Sequence, residues 1–497
     1  LNLTRTGKAG LLGSGQAVEF VTRFAVMGLL ARHMTKPDYG LYSLVWVVYF
    51  FFLPFFYLGL DPAIYYFWPK AGADGRRELI VQSLSLHTLA GLGLALLVFA
   101  GAPVLAWCWR EPLLVGPLRA LSLFALFVLP ATASQGILMN ADRPILATIM
   151  SFVNRAVPSL ACAAAIILAS ASIEATFLYV GAVAGVMLIG AAWISLRQAG
   201  PVPMRWRWRR WVEQLRFAVP MGAPAIAATF SQRLGQVIVP LFYTAAAFSD
   251  YRNGALELPV FAILTTPAMT VILPEMSAHA TERRVDLLIN VWHRAIRKTA
   301  FIIYPLTVFL LVHAREIILI PFSSEYLSSV PIFMIFLAVL PTQIANFMTP
   351  LMLMKRSGVV LVGSIISLTS LAGLSLALIP LMRTFGQQYG LWGAAAAAPL
   401  ARTIFMSYYI VQIHRCLGVA YSGVLPWRYL GGVAALSIVA AGAALAAKLL
   451  HWAPVPQLLI GAVVFALVFG PLALVTKLFP ELERERLRKL WRAVRPF

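Results

Sequence analysis

Residues Gly358–Met382 read GVVLVGSIISLTSLAGLSLALIPLM, 25 positions without a charged side chain, set between Lys355-Arg356 and Arg383. A bilayer core takes about 20 mainly apolar residues of helix, so this run is long enough to cross one. Similar runs recur almost end to end. The expected spans are 11–31, 41–60, 79–106, 113–137, 145–169, 173–196, 217–243, 254–274, 299–321, 330–354, 358–382, 388–413, 429–450 and 457–478. Of the 497 residues, 60% are hydrophobic and 12% charged. That is about half the charge of an ordinary soluble domain, too little to cover a water-facing surface. The fold class read from this pattern is all-α, a polytopic membrane protein with about 14 transmembrane helices.

The charge distribution fits that count. Net charge is +21, from 40 basic and 19 acidic residues. No basic module stands apart from the apolar runs, so nucleic acid is not an expected partner. With the N-terminus inside, 28 Lys and Arg fall in cytoplasmic segments. Seven fall outside: Arg32, Lys36, Arg110, Arg252, Arg315, Arg383 and Lys448. Five lie within spans: Arg23, Arg119, Arg155, Arg233 and Arg402. This is a strong positive-inside bias, and a missed span would invert every later loop. Both termini are expected in the cytoplasm, with residues 197–216 and 275–298. The run Arg205-Trp206-Arg207-Trp208-Arg209-Arg210-Trp211 suits the headgroup layer. The tail carries Leu487, Leu490, Trp491 and Val494 on one face, an amphipathic pattern for the membrane surface. Outer segments are too short for an external catalytic domain. Cys108, Cys162 and Cys416 form no C-x-x-C pair, and the seven histidines have no metal-ligand spacing. No cofactor and no metal are expected.

The chain repeats itself weakly. At an offset of 210, Glu19-Phe20-Val21-Thr22-Arg23 lies opposite Thr229-Phe230-Ser231-Gln232-Arg233. At an offset of 214, Tyr39-Gly40-Leu41-Tyr42 lies opposite Asn253-Gly254-Ala255-Leu256. Transporters are often built from such repeats. The segment Ala31-Arg32-His33-Met34-Thr35-Lys36-Pro37-Asp38-Tyr39-Gly40-Leu41-Tyr42 resembles the Asp-Tyr-Gly turn after the first helix of bacterial polysaccharide flippases. These belong to the multidrug/oligosaccharidyl-lipid/polysaccharide exporter superfamily. The order of elements is similar over nearly the whole chain. The resemblance implies two six-helix bundles around a central cavity, at 1–196 and 217–413, joined by the basic connector 197–216. Two further transmembrane helices (414–478) and the amphipathic tail (479–497) follow. It also implies alternating access at the cytoplasmic membrane, with an undecaprenyl-pyrophosphate-linked oligosaccharide as cargo. Membrane lipids, a glycan polymerase and glycosyltransferases of the same pathway are the partners it implies.

The mid-span arginines carry the chemistry. A guanidinium at mid-bilayer costs about 3 kcal/mol on insertion scales, so it should face a polar cavity or a partner. Arg23, Arg155, Arg233 and Arg402 therefore point to a positive cavity, and the guanidinium fork suits phosphate oxygens. The alternative is that each only pairs with a carboxylate or helix-end carbonyls. Arg119 lies nearer the outer end of its span and should snorkel. Glu19 lies four residues before Arg23, on the same face, and Gln16 extends that stripe. Thr229, Gln232, Arg233 and Gln236 form a similar stripe on the seventh span. Substrate-binding candidates are thus Arg23, Arg233, Arg402, Arg155, Gln16 and Gln232. Glu19 either holds Arg23 statically or binds a coupling ion, and Glu257 is a weaker ion candidate.

Other functions fit less well. A peptidoglycan-precursor flippase shares the same layout. A drug/cation antiporter would favour acidic cavity residues, whereas Glu19 is the one clear mid-span acid. A membrane polymerase, ligase or acyltransferase would need acidic outer loops or an intramembrane histidine. His87 is the one inviting histidine, with no partner evident in the sequence. No catalytic residue is assigned.

Overall fold

The computed structural model describes residues 5–198, 208–256, 265–449 and 452–479. Those residues are helical with short turns and contain no strand. The chain divides into two compact units, residues 1–250 and 251–497.

In the first unit α1 is Arg5–His33, α2 Lys36–Tyr57, α3 Leu60–Cys108, α4 Val115–Asn140, α5 Pro144–Ala169, α6 Ile173–Arg197 and α7 Trp208–Ile238. The short α8, Ala245–Gly254, runs across the division. Helix α3 pairs with α4, α4 with α6, α1 with α5, and α7 with α2 and α3. By packing, α7 clusters with the first unit.

In the second unit α9 is Thr266–Thr281, α10 Val285–Val312, α11 Ala314–Phe322, α12 Ser329–Leu337 and α13 Met348–Leu353. Then come α14 (Ser357–Arg383), α15 (Gln387–Leu417), α16 (Tyr421–Val424), α17 (Trp427–Lys448) and α18 (Pro454–Val475). Helix α14 packs on α15, and α17 on both α18 and α10. Val433, Ala440, Phe465 and Phe469 form the core of the α17–α18 pair.

Among the described residues, 11 segments are long and apolar enough to cross a membrane, and each overlaps an expected span. Of the other three, 11–31 is helical within α1 and 217–238 within α7, the latter ending in a 3-10 turn at Val239–Leu241, while 254–274 runs partly through residues outside those described. The tail beyond Phe479, and residues 199–207 of the basic connector, also lie outside them.

Several boundaries differ from the sequence reading. The Asp-Tyr-Gly segment is no turn: it opens α2. Thr35 caps that helix, accepting from the Asp38 amide at 3.3 Å and donating to Asp38 Oδ2 at 2.6 Å, with Pro37 in the first turn. Pro and a capping pair are what a helix start requires. Residues 208–216, read as connector, form the first turns of α7. Residues 275–298, read as a cytoplasmic connector, are helical on both sides of a turn at 282–284. The expected span 299–321 breaks at His313, between α10 and α11. The expected span 330–354 is also broken, with 3-10 and extended backbone between Leu337 and Met348. Broken backbone at membrane depth needs local donors. Thr265 Oγ1 donates to the Gln343 carbonyl at 2.8 Å and Thr299 Oγ1 to the Ile344 carbonyl at 2.6 Å. Helix α3 is long because it continues through a kink at Gly72, whose φ of +60° suits glycine.

Candidate functional site

The polar face of the first unit is assembled by α1, α2, α5 and α7. Glu19 on α1 is buried, and two guanidiniums converge on it. Arg155 Nη1, from α5, donates to Glu19 Oε2 at 3.4 Å. Arg23 Nη1, one turn along α1, lies 3.7 Å from Glu19 Oε1. The Arg23 guanidinium then stands 5.8 Å from the ring centre of Phe50 on α2. Arg233 on α7 approaches the same ring to 4.9 Å. A chain of contacts, Arg155–Glu19–Arg23–Phe50–Arg233, thus links three cations and one anion, leaving two positive charges among the four groups.

Local packing explains this arrangement. Phe51 packs on Phe230 in a tilted arrangement with ring centres 4.7 Å apart, and Phe55 meets the same ring edge-on at 5.4 Å. Those contacts fix α7 against α2, and Arg233 lies three residues along from Phe230. A cation within about 6 Å of an aromatic face is attracted by its quadrupole. The side chains of Arg23 and Arg155 are 41% and 50% exposed, whereas Glu19 is 9% exposed. Guanidiniums half uncovered at mid-span cannot rest against hydrocarbon without a large cost, so this face suits water or an anion.

The remaining expected residues are placed as follows. Gln232 is exposed on α7, while Gln236 is buried. Arg402 lies in the second unit on α15. Its Nε donates to Thr342 Oγ1 at 3.3 Å, and its guanidinium stands 4.5 Å from the Phe405 ring. Thr342 belongs to the broken segment before α13, so Arg402 braces irregular backbone. Arg119 is exposed, 5.2 Å from the Phe99 ring. The side chain of Gln16 and all of Glu257 lie outside the described residues.

One constellation was missed in the sequence. His87, fully buried on α3, does have a partner. Its Nδ1 meets the Ser83 carbonyl at 2.7 Å, so Nδ1 carries a proton and donates. Its Nε2 lies 3.3 Å from Asp61 Oδ1, and the Tyr57 hydroxyl donates to Asp61 Oδ2. Asp61 escaped notice because span 41–60 ended one residue before it. Only the 26-residue spacing across the kink of α3 brings the two together.

At one end of the first unit, Lys36 Nζ binds Asp250 Oδ1 at 2.9 Å and Oδ2 at 3.2 Å. Glu111 Oε1 accepts the Ala245 amide at 2.7 Å, satisfying an N-terminal N–H of α8. Gly40 packs directly beneath: a Cβ there would lie 1.9 Å from the Ala245 carbonyl oxygen. The glycine of the Asp-Tyr-Gly segment is thus required for close approach of backbones.

These features define a multi-pass membrane protein of packed helices. A family model described as "Polysaccharide biosynthesis protein" matches residues 29–331, and the chain belongs to that family. No curated protein matches it by sequence. Among solved structures, the chain is similar to the lipid II flippase MurJ in an inward closed conformation, with a TM-score of 0.69 at 15% identity. That match covers 92% of this chain and 98% of the other. It is also similar to an inward-facing multidrug resistance MATE family transporter of the MOP superfamily, with a TM-score of 0.60 at 12% identity. There the coverage is 80% of this chain and 95% of the other. At such identities the likeness establishes the fold, and the resemblance to a polysaccharide family is borne out by the family match.

Proposed function

We propose that the chain flips a lipid-linked oligosaccharide, carried on undecaprenyl pyrophosphate, across the cytoplasmic membrane by alternating access. The observation that carries this reading is the positive face of the first unit. Three guanidiniums on α1, α5 and α7 gather around one carboxylate and one ring, and two of them are substantially uncovered. A diphosphate offers oxygens that such forks bind in pairs. A cationic drug would be repelled there, which disfavours an antiporter. Membership of a polysaccharide biosynthesis family supports a glycan cargo. A peptidoglycan precursor is the second reading, favoured by the likeness to a lipid II flippase. In this account Arg23, Arg155 and Arg233 hold the anionic linkage, with Gln232 near them on α7 and Gln16 kept as a candidate from its sequence position, and Arg402 serves the second unit. Glu19 sets the arginines, and Glu257 stays an ion-coupling candidate.

The test is translocation by the purified chain in proteoliposomes. Lipid-linked oligosaccharide and peptidoglycan precursor, each bearing a fluorophore on the sugar, are offered on one face and quenched from the other. Faster crossing of the oligosaccharide is expected. Crossing of the peptidoglycan precursor alone replaces the cargo with the second reading, and crossing of neither overturns the flippase reading.

A further inference from the structure

The second unit contains a cleft of about 390 Å³ between α9 and α10. We infer that this cleft is a binding site for the phosphate or diphosphate headgroup of a lipid. It is distinct from the arginine face of the first unit.

The donors come from one helix face. Asn290, Arg294 and Arg297 follow one another at four and three residues along α10, a spacing that aligns side chains. All three are exposed. Glu275 of α9 takes Arg294 Nη2 in an ion pair. That single contact orients the fork and leaves most of its five N–H donors unused. Arg297 has no carboxylate partner among the described residues; its guanidinium stands 5.7 Å from the Tyr429 ring on α17. His293 and His279 also line the cleft, and the buried Nδ1 of His279 has no hydrogen-bond partner. Two guanidiniums thus face one carboxylate, so the cleft carries surplus positive charge. Leu287 and Val291 supply an apolar wall. Cationic forks beside apolar surface suit an amphiphile with a phosphate head better than a free ion.

Depth points the same way. Helix α10 has 28 residues, about 42 Å at 1.5 Å per residue, longer than a bilayer core of about 30 Å. From Thr299 to Val312 it carries no charge, whereas Arg294, Arg297 and Lys298 crowd its other part. The cleft therefore lies where the apolar run ends, at the level of headgroups, and the positive-inside bias assigns that level to the cytoplasmic leaflet. The headgroup could come from a bulk anionic phospholipid or from a polyprenyl diphosphate; both offer phosphate oxygens.

The experiment titrates the purified full-length chain with inorganic phosphate, inorganic diphosphate, dioctanoyl phosphatidic acid, farnesyl diphosphate and dioctanoyl phosphatidylcholine. Saturable binding is read by thermophoresis and by melting temperature. Phosphatidic acid or farnesyl diphosphate should bind at least about tenfold tighter than the inorganic anions, through the added apolar contact. Tighter farnesyl diphosphate assigns the polyprenyl source, and equal or tighter phosphatidic acid assigns the phospholipid. Arg297→Gln leaves the Arg294–Glu275 pair intact and should weaken binding about tenfold with an unchanged melting temperature of the free protein. Arg428→Gln, which removes a nearby exposed cation outside the cleft, should bind as the parent does. Equal affinity for inorganic diphosphate overturns the lipid assignment. Unchanged affinity in Arg297→Gln, or equal loss in Arg428→Gln, overturns the site. The inference does not depend on the proposed cargo, because proteoliposome translocation is scored separately.

Discussion

Glu19 faces two guanidiniums, so its carboxylate is divided between Arg155 at 3.4 Å and Arg23 at 3.7 Å. An acid shared in this way can be a static tie or a device that holds two cations ready for an anion. The distinction is testable because all three groups can be made neutral together. The variant Glu19→Gln, Arg23→Gln, Arg155→Gln leaves no buried carboxylate unpaired, which is the condition under which removing a charge network is tolerated. It should accumulate in the membrane at parental level. If the arginines grip cargo, its glycan export should fall at least about tenfold, since charge-assisted hydrogen bonds contribute about 1.5–3 kcal/mol each. Arg23→Lys should retain part of the export, because lysine keeps the charge without the planar fork. The readout is surface glycan per unit of protein in a strain lacking its own flippase. Parental export from the triple variant would reduce the cluster to helix pairing. The sequence exposed Arg23 and Glu19 together because four residues separate them on one helix. It could not show that Arg155, 136 positions away, shares the same acid.

At the scale of elements, Gly40 shows how one missing side chain sets a helix contact. The α2–α8 approach rests on the backbone of Ala245, and Gly40→Ala would put a methyl 1.9 Å from its carbonyl oxygen. The helices must separate, breaking the fit around Lys36–Asp250 and Glu111–Ala245. Overpacking of this kind costs about 1–3 kcal/mol. Gly373→Ala on α14 meets nothing within 4 Å and should be neutral or stabilising by about 0.5–1 kcal/mol, the helix preference of alanine over glycine. Thermal unfolding of the purified variants checks both, and equal behaviour would remove the steric explanation for Gly40. Helix positions were legible because long apolar runs leave few alternatives in lipid. Breaks and extensions were less so. Residues 285–298 bury Leu288, Val291, Trp292, Ala295 and Ile296 while exposing Arg294, Arg297 and Lys298. A hydropathy average over both faces hides such a helix. The span 330–354 hid its break for the opposite reason. It carries no charged side chain, and the threonines that satisfy its open carbonyls stand at Thr265 and Thr299, far away in sequence.

Across the whole molecule, ion pairs and polar contacts test the expected topology from within. Lys36 meets Asp250, Glu111 meets the Ala245 amide, and Glu78 meets Arg210 at 2.6 Å. Each contact brackets an even number of expected spans, so its partners fall at the same membrane face. One missing or surplus span between any pair would set the partners about 30 Å apart. Contacts bear on parity alone, and the cytoplasmic N-terminus is proposed from the bias of basic residues. Cysteine labelling decides it. In a background with Cys108, Cys162 and Cys416 replaced, Ser170→Cys and Ser324→Cys should react with an impermeant maleimide in intact cells. Glu213→Cys and Arg283→Cys should react only after permeabilisation. All four positions are exposed, so silence in intact cells reflects the membrane and not burial. Labelling of Glu213→Cys from outside would invert the first six spans and place the arginine-rich start of α7 on the outer face. The phosphate-headgroup cleft and the cargo entry side would then both have to be reassigned, because each depends on which leaflet α10 meets with its charged end.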